Sequence, residues 1–490
     1  MRDGFDLLVV GGGVNGAGIA RDAQGRGLST CLVERADLAA ATSSNSSKLI
    51  HGGLRYLEQY EFRLVREALA EREVMLRIAP HIVWPMRFVL PHRPQMRPRW
   101  LIRAGLFLYD NLARRVSLPG AETLDFRRHE FGAPLAPEIT AGFAYSDCWV
   151  EDSRLVLLNA RDAAMRGARI LPRTRFVGAN RAEGGWVCRL EDSSGATQEV
   201  HARAIANAAG PWVVPTQQST EAPAGGAVRL IRGSHIVLPA LYAGEQAYIL
   251  QNDDRRVVFV IPYEGRFTLV GTTDVPHAGD AGAPTCSAEE AAYLCAAVSR
   301  QFRRPITPAE IVWSYSGVRP LFDDGADNPS AVTRDYVLKL DTAGAPLLSV
   351  FGGKITTYRR LAEEAVGRIG AALGREGQAW TATQPLPGGA EPDQAALAAD
   401  LAARAPWLAA GTRTRLRRAY GTMALDLLGD ARGPDDLGRD FGAGLTAREI
   451  AYLVEKEWAR TAEDVLWRRS RLGLHMDAPA RAALAEHLGG

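Results

Sequence analysis

An α/β fold is predicted for this 490-residue chain by three observations. The Leu- and Val-rich run FDLLVV passes directly into GGGVNGAGIARDAQGRG and then into STCLVE, an order that reads strand, glycine turn, helix, strand. Two more strand-like runs, ARAIA and PLLSV, lead into NAAGPW and FGGKITTYRRLAEEA. From about residue 390 onward the chain turns rich in Ala, Leu and Arg, and EIAYLVEKEWARTAEDVLWRRSRLGL reads as helical.

Each element has a local reason. Gly11, Gly13 and Gly16 fit GxGxxG, one for a tight turn, one for close backbone approach to a pyrophosphate, one for close helix packing. A helix beginning near Asn15 aims its N–H groups and positive dipole end at phosphate. Glu34 closes the second strand, where a carboxylate accepts hydrogen bonds from both ribose hydroxyls and disfavours a 2′-phosphate. A dinucleotide site is predicted, and this motif alone fits FAD and NAD equally. The later segments bear on that choice. Reducing a flavin puts negative charge near its N1 and C2 oxygen, and a helix opening at Gly352, Gly353 and Lys354 can stabilise it. Small residues around Gly210 let backbone pass close to a ligand. Taken singly, each segment is equally a plain strand-to-loop or strand-to-helix junction.

Composition sets the outer limits. With 47% apolar residues the chain can bury a large core, and 58 basic against 56 acidic residues give no overall charge for nucleic acid. The five cysteines form no CxxC pair and have no histidine cluster near them, which argues for reduced thiols in a cytoplasmic setting and against a metal site. The N-terminus lacks the features of a signal peptide, and no uninterrupted apolar run reaches the roughly 20 residues of a membrane helix. One stretch, TSSNSSKLIHGGLRYLE (residues 42–58), crowds hydroxyls, a lysine, a histidine and an arginine together as an anion site would.

GGGVNGAG, TSSNSSKLIHGGLRYLE, NAAGPW, RLIRGSHIVL, GTTD, YSGVRPL and SVFGGKITTYRRLAE occur in one order. Together they resemble the FAD-dependent glycerol-3-phosphate dehydrogenases, specifically the aerobic, membrane-associated bacterial type. The resemblance implies a D-amino-acid-oxidase-like fold. A discontinuous FAD domain of glutathione-reductase type (about 1–80, 150–225 and 330–385) interleaves with an antiparallel-sheet substrate domain (about 81–149 and 226–329), and a helical domain (391–490) follows the linker Pro385–Gln394.

The resemblance also implies site residues. Around FAD it sets Gly11, Gly13, Asn15, Gly16 and Glu34, then Thr42, Ser43, Ser47, Leu49 and His51, and finally Gly210, Gly352, Gly353, Lys354 and Thr356. Around substrate it sets Arg55, Tyr56, His235, Thr272, Arg319, Arg334 and Lys354. Buried like charges repel and lose solvation, so a cluster of Arg55, Arg319, Arg334 and Lys354 calls for an anion such as a phosphate dianion. A single arginine, by type, is more often exposed or salt-bridged, and Asp335 stands beside Arg334.

The implied reaction oxidises sn-glycerol 3-phosphate to dihydroxyacetone phosphate, with hydride passing from C2 to flavin N5 and the hydroxyl proton to a base. His51, ranked first, and His235 are the candidates, with Arg319 and Lys354 completing the catalytic set. His81 and His92 read as structural, and by type Tyr56, Tyr263 and the tryptophans pack. Electrons are expected to reach membrane quinone, from a homodimer held peripherally at the inner face of the cytoplasmic membrane. RPRWLIRAGLFLYDNLARR (97–115) fits an interfacial helix, although a core helix with solvated ends is the stronger reading, and WRRSRLGL poses the same choice. An oxygen-using FAD oxidase of glycerol 3-phosphate or a small amine, or a flavin-binding regulatory protein without turnover, are the alternatives.

Overall fold

The computed structural model describes residues 4–113, 116–222, 225–254, 256–323 and 335–489, with the backbone alone for Arg55, Glu58 and Gln59. Two sheets organise it. The first runs in the order Val337–Asp341, Leu347–Phe351, Thr197–Asn207, β1 (Gly4–Val10), β2 (Thr30–Glu34), Arg169–Pro172. From Leu347–Phe351 to Arg169–Pro172 the pairing is parallel. A hairpin, Thr174–Ala182 and Gly185–Asp192, adds to Thr197–Asn207 in antiparallel register.

Parallel strands covered on both faces must be apolar throughout, which is why β1 reads as a continuous run. Leu7 and Val9 point into a layer shared with Ile19 and Ala20 of helix α1 (Val14–Gly25), Leu155 of Asp152–Met165 and Leu361 of Tyr358–Leu373. Leu8 and Val10 face the other way, against Trp186, Leu190 and Ile205.

The second sheet is antiparallel except where Ala247–Gln251 meets Val83–Pro91. Its order is Val275–Pro276, Val228–Pro239, Phe267–Gly271, Val257–Tyr263, Ala247–Gln251, Val83–Pro91, Ala141–Val150, Leu49–Ile50, with Trp313–Phe322 also paired to Val228–Pro239. Alternation puts Ile236 and Leu238 against Leu294 and Val298 of helix Ala288–Ser299, and Val237 against an aromatic cluster with Phe88, Tyr109 and Tyr145 on the opposite face.

The C-terminal region packs helices Gln394–Arg404, Ala410–Tyr420, Ala447–Glu457 and Ala478–His487. Their Leu397, Leu416, Ile450 and Leu453 merge with the layer containing Leu155. Buried ion pairs complete the docking: Arg154 with Glu457, and Arg469 with Asp37.

Helix Arg99–Asn111 departs from the core-helix expectation. It buries only Leu106 and Tyr109, while Trp100 is 72% exposed and Phe107 64%. The apolar positions run around more of the helix than its one contact face can cover. The arginines of WRRSRLGL depart in the other direction: Arg468 and Arg469 pair with Asp37 inside the protein, so they are not an interfacial set.

Candidate active site

A cavity of about 640 Å³ opens where the two sheets meet, walled by Gly11 and Glu34 on one side and by His235 and Thr272 on the other. Gly11, at the end of β1, has φ 113°, and a Cβ there would stand 2.5 Å from Ala208 O. Gly16 approaches so closely that a Cβ would meet Gly11 O at 1.9 Å, so Gly16 packs α1 against the turn and does not line the cavity. Gly11, Gly13 and Asn15 do line it. The Glu34 carboxylate accepts Gly12 N–H at 2.7 Å and Ala36 N–H at 2.8 Å, which leaves each oxygen a further lone pair for a ribose hydroxyl. Burial pushes this carboxyl up, and the two N–H groups pull against it.

The hydroxyl run divides. Thr42, Ser43, Ser46 and Ser47 reach the cavity, but Ser44 is buried with its hydroxyl on Ala41 O. Thr42 donates to Val318 O at 2.6 Å, Ser43 accepts Val14 N–H at the head of α1 at 3.0 Å, and Ser46 donates to Asp152 at 2.8 Å. Much of the run is therefore engaged within the protein, and fewer of its hydroxyls can turn to a pyrophosphate than the sequence suggests. Ser47 Oγ meets His235 Nε2 at 2.9 Å.

The three glycine-bearing segments converge here. Asn15 Nδ2 donates to Gly352 O at 3.2 Å, and Leu49, Gly210, Gly353, Lys354 and Thr356 share the lining. His51 N–H donates to Thr356 Oγ1 at 3.3 Å, which ties the histidine loop to the last segment. Gly52 N–H donates to the Tyr109 hydroxyl at 2.9 Å, and that hydroxyl in turn donates to Asp147, itself paired with Arg72.

His51 and His235 both face the cavity. Burial pushes the His51 imidazole down from 6.5; the Asp147 carboxylate opposes this and Lys354 adds to it. His235 is 3% exposed, and burial, then the cations Lys48 and Arg319, push it down to about 3. Its Nδ1 is buried without a protein partner. The Lys354 ammonium sits 4.0 Å from the Tyr56 ring centroid, so Tyr56 both packs and lines the cavity.

Arg319 also lines the cavity but is not an uncompensated cation. Its Nη2 donates to Asp274 at 2.7 Å and to Thr273 O at 2.9 Å, so its charge is balanced within the protein and does not by itself require an anion, contrary to the sequence expectation. Arg334 and the Arg55 side chain lie outside the described residues; Asp335 pairs with Arg63 at 2.8 Å. Three residues missed in the sequence complete the surroundings, Asp274, Tyr315 and Asp152; Lys48, read in the sequence as part of an anion site, is instead buried in a pair with Asp152 at 2.8 Å and does not line the cavity. Only the acid–arginine sequence EDSR, at a strand end, hinted at Asp152.

A glycine turn on a parallel sheet, a terminal carboxylate, and two buried polar atoms without partners, Asn15 Oδ1 and His235 Nδ1, fit a flavin dinucleotide. Fold and site together define a dinucleotide-dependent oxidoreductase. Residues 6–359 match the family described as FAD dependent oxidoreductase, and residues 379–488 match the C-terminal domain of alpha-glycerophosphate oxidase. A glycerol-3-phosphate dehydrogenase of Pseudomonas aeruginosa is 54% identical, over 99% of this chain and 95% of its own. A D-erythritol 1-phosphate dehydrogenase of Brucella abortus is 52% identical, over 98% and 97%. Among solved structures, the glycerol-3-phosphate dehydrogenase of Bacillus halodurans complexed with FAD superposes with TM-score 0.76 at 26% identity, covering 99% of this chain and 93% of that one. The chain belongs to the FAD-dependent oxidoreductase family that includes the bacterial glycerol-3-phosphate dehydrogenases. It is an FAD-dependent enzyme with the D-amino-acid-oxidase type of fold and a C-terminal helical domain.

Proposed function

We propose that this enzyme oxidises the secondary alcohol of sn-glycerol 3-phosphate to the ketone of dihydroxyacetone phosphate and passes the electrons to membrane quinone. The observation that carries the reading is the pairing, across one cavity, of two histidines held neutral with the cations Arg319 and Lys354. Arg319, its fork fixed by Asp274 and Thr273 O, grips phosphate oxygens together with Thr272. Arg55 and Arg334 are assigned to the same anion on sequence grounds. Lys354, over the Tyr56 ring, adds a point charge to the site. Bound FAD supplies the hydride acceptor. A neutral imidazole can take the C2 hydroxyl proton, and His51, on the loop tied to Thr356, is assigned that role. His235, with Ser47 on Nε2, orients the substrate hydroxyl. Gly11, Gly13, Asn15, Glu34, Thr42, Ser43, Ser47, Leu49, Gly210, Gly352, Gly353 and Thr356 are assigned to the cofactor as lining residues, and Gly16 through packing.

A membrane surface is the proposed place of electron delivery, supported by exposed Trp100, Leu101, Phe107 and Leu108 on one helix with Arg97, Arg99 and Arg103 beside them. No described helix is long and apolar enough to cross a membrane. A homodimer is carried from the resemblance, and light scattering on the purified protein checks it. A longer polyol phosphate is the second reading, favoured by the 52% identity to the D-erythritol 1-phosphate enzyme.

The deciding experiment is anaerobic. Glycerol 3-phosphate should bleach the flavin band within seconds, and a soluble quinone should restore it faster than oxygen does. Faster bleaching by D-erythritol 1-phosphate would transfer the assignment to the longer substrate, and faster recovery in oxygen would make the enzyme an oxidase.

A further inference from the structure

We propose that Arg471, contributed by the C-terminal helical domain, is a positioning residue that holds the cofactor loop 42–48 from behind and so retains FAD. Arg471 is 4% exposed, and its Nη2 donates to Asp152 Oδ1 at 2.9 Å and to Ser44 O at 3.1 Å. Lys48, fully buried, donates to both Asp152 oxygens at 3.0 and 2.8 Å and to the same Ser44 O at 3.0 Å. Asp152 in turn accepts the Ser46 hydroxyl at 2.8 Å, and the Tyr315 hydroxyl donates to Ser46 O at 2.8 Å. The loop's rear carbonyls and one hydroxyl are thereby fixed. Ser43 is left to meet the head of α1, and Ser47 to meet His235.

Docking of the helical domain does not depend on this contact. Arg154 with Glu457 and Arg469 with Asp37 join the same two regions elsewhere. Two cations share the single carboxylate of Asp152, so removing Arg471 leaves Lys48 and Asp152 as a matched buried pair and not an isolated charge. What is lost is one of two donors on Ser44 O, one tether on Asp152 and a 3.4 Å bond to the Ser153 hydroxyl. The expected consequence is a loosened loop in a folded protein.

The test uses the full-length holoenzyme and follows flavin release by the rise of free-flavin fluorescence after dilution, at a temperature where circular dichroism shows the fold intact. Arg471→Met should release FAD at least about tenfold faster than the parent, as loss of charge-assisted hydrogen bonds implies. Arg471→Lys, which keeps a cation able to reach Asp152, should stay within about threefold. Release by Arg471→Met within about threefold of the parent would overturn the proposal, and so would accelerated release that lysine does not rescue. Should Arg471→Met not fold, Ser46→Ala removes a tether and no buried charge. It should accelerate release by about threefold or more, and an unchanged rate there overturns the proposal independently.

Discussion

His235 and Tyr315 stack face to face, with ring centroids 4.8 Å apart and planes inclined by 15°, and the Lys48 ammonium lies 5.1 Å from the same Tyr315 ring. The imidazole is thus covered on one face by an aromatic ring that itself carries a buried cation. Burial first, and then the nearby Lys48 and Arg319 with which an added proton would share this space, keep His235 neutral far below its ordinary range.

The two histidines should therefore separate in kinetics. His51→Gln should lower kcat by roughly 10²–10⁴, the usual worth of a positioned base. His235→Gln should mainly raise KM. Because His51 is pushed below 6.5, the acid limb of kcat/KM in the parent should fall below pH 6.5. A limb at or above pH 6.5, or a His51→Gln enzyme with unchanged kcat, would remove His51 as the base.

Arg319→Ala should raise KM for glycerol 3-phosphate about 10- to 100-fold, the worth of a charge-assisted hydrogen bond in a shielded site, with flavin still bound. Asp274→Asn leaves the guanidinium in place and frees it from its carboxylate, so a smaller KM change is expected. Equal effects from both would mean that Arg319 acts through Asp274 and does not touch phosphate.

Stability should fall in mild acid through His81. Its ring is 1% exposed, neither nitrogen has a partner, and it packs against Gly388 and Gly421 at the join to the helical domain. Burial, then Arg154 and Arg417, push its pKa from 6.5 down to about 3. Between those values the unfolded chain binds a proton that the folded one does not, so stability declines as pH falls through that window. Thermal unfolding from pH 7.5 to 5 should show a smaller loss of Tm in His81→Leu than in the parent. Parallel losses would assign the acid sensitivity to other groups.

Much of the glycine-turn side of the cavity was legible because its rules are local. A glycine that must approach backbone, or a carboxylate at a strand end, announces itself within a few residues, as Gly16 and Glu34 do. The exposure of Trp100 and Phe107 was not legible, since an amphipathic pattern looks the same against protein or solvent. Nor was the pairing of Asp152 with Arg471 or of Arg319 with Asp274, because contacts between distant residues leave no period in the sequence. The cations looked unpaired for that reason.

Trp100→Glu with Phe107→Glu should reduce binding to vesicles of mixed anionic and neutral lipid by at least about tenfold, because the apolar face of an interfacial helix carries most of its partition energy. Cosedimentation measures this directly. Binding that persists unchanged would rule out helix Arg99–Asn111 as a membrane contact, and a parent that does not bind would remove the membrane proposal.

The sheet that carries the glycine turn joins β1 to Thr197–Asn207, and that strand to Leu347–Phe351. A ribosome making this chain supplies β2 soon after β1, but the neighbour on the other edge, Thr197–Asn207, only some two hundred residues later, and the strand beyond it later still. Until then β1 is paired on one edge only and Leu8 lacks Trp186, Leu190 and Ile205, and closure of such distant pairings is slow. Nascent chains and products of early termination should consequently be clients of chaperones and proteases, and a fragment ending before residue 347 should neither load FAD nor accumulate.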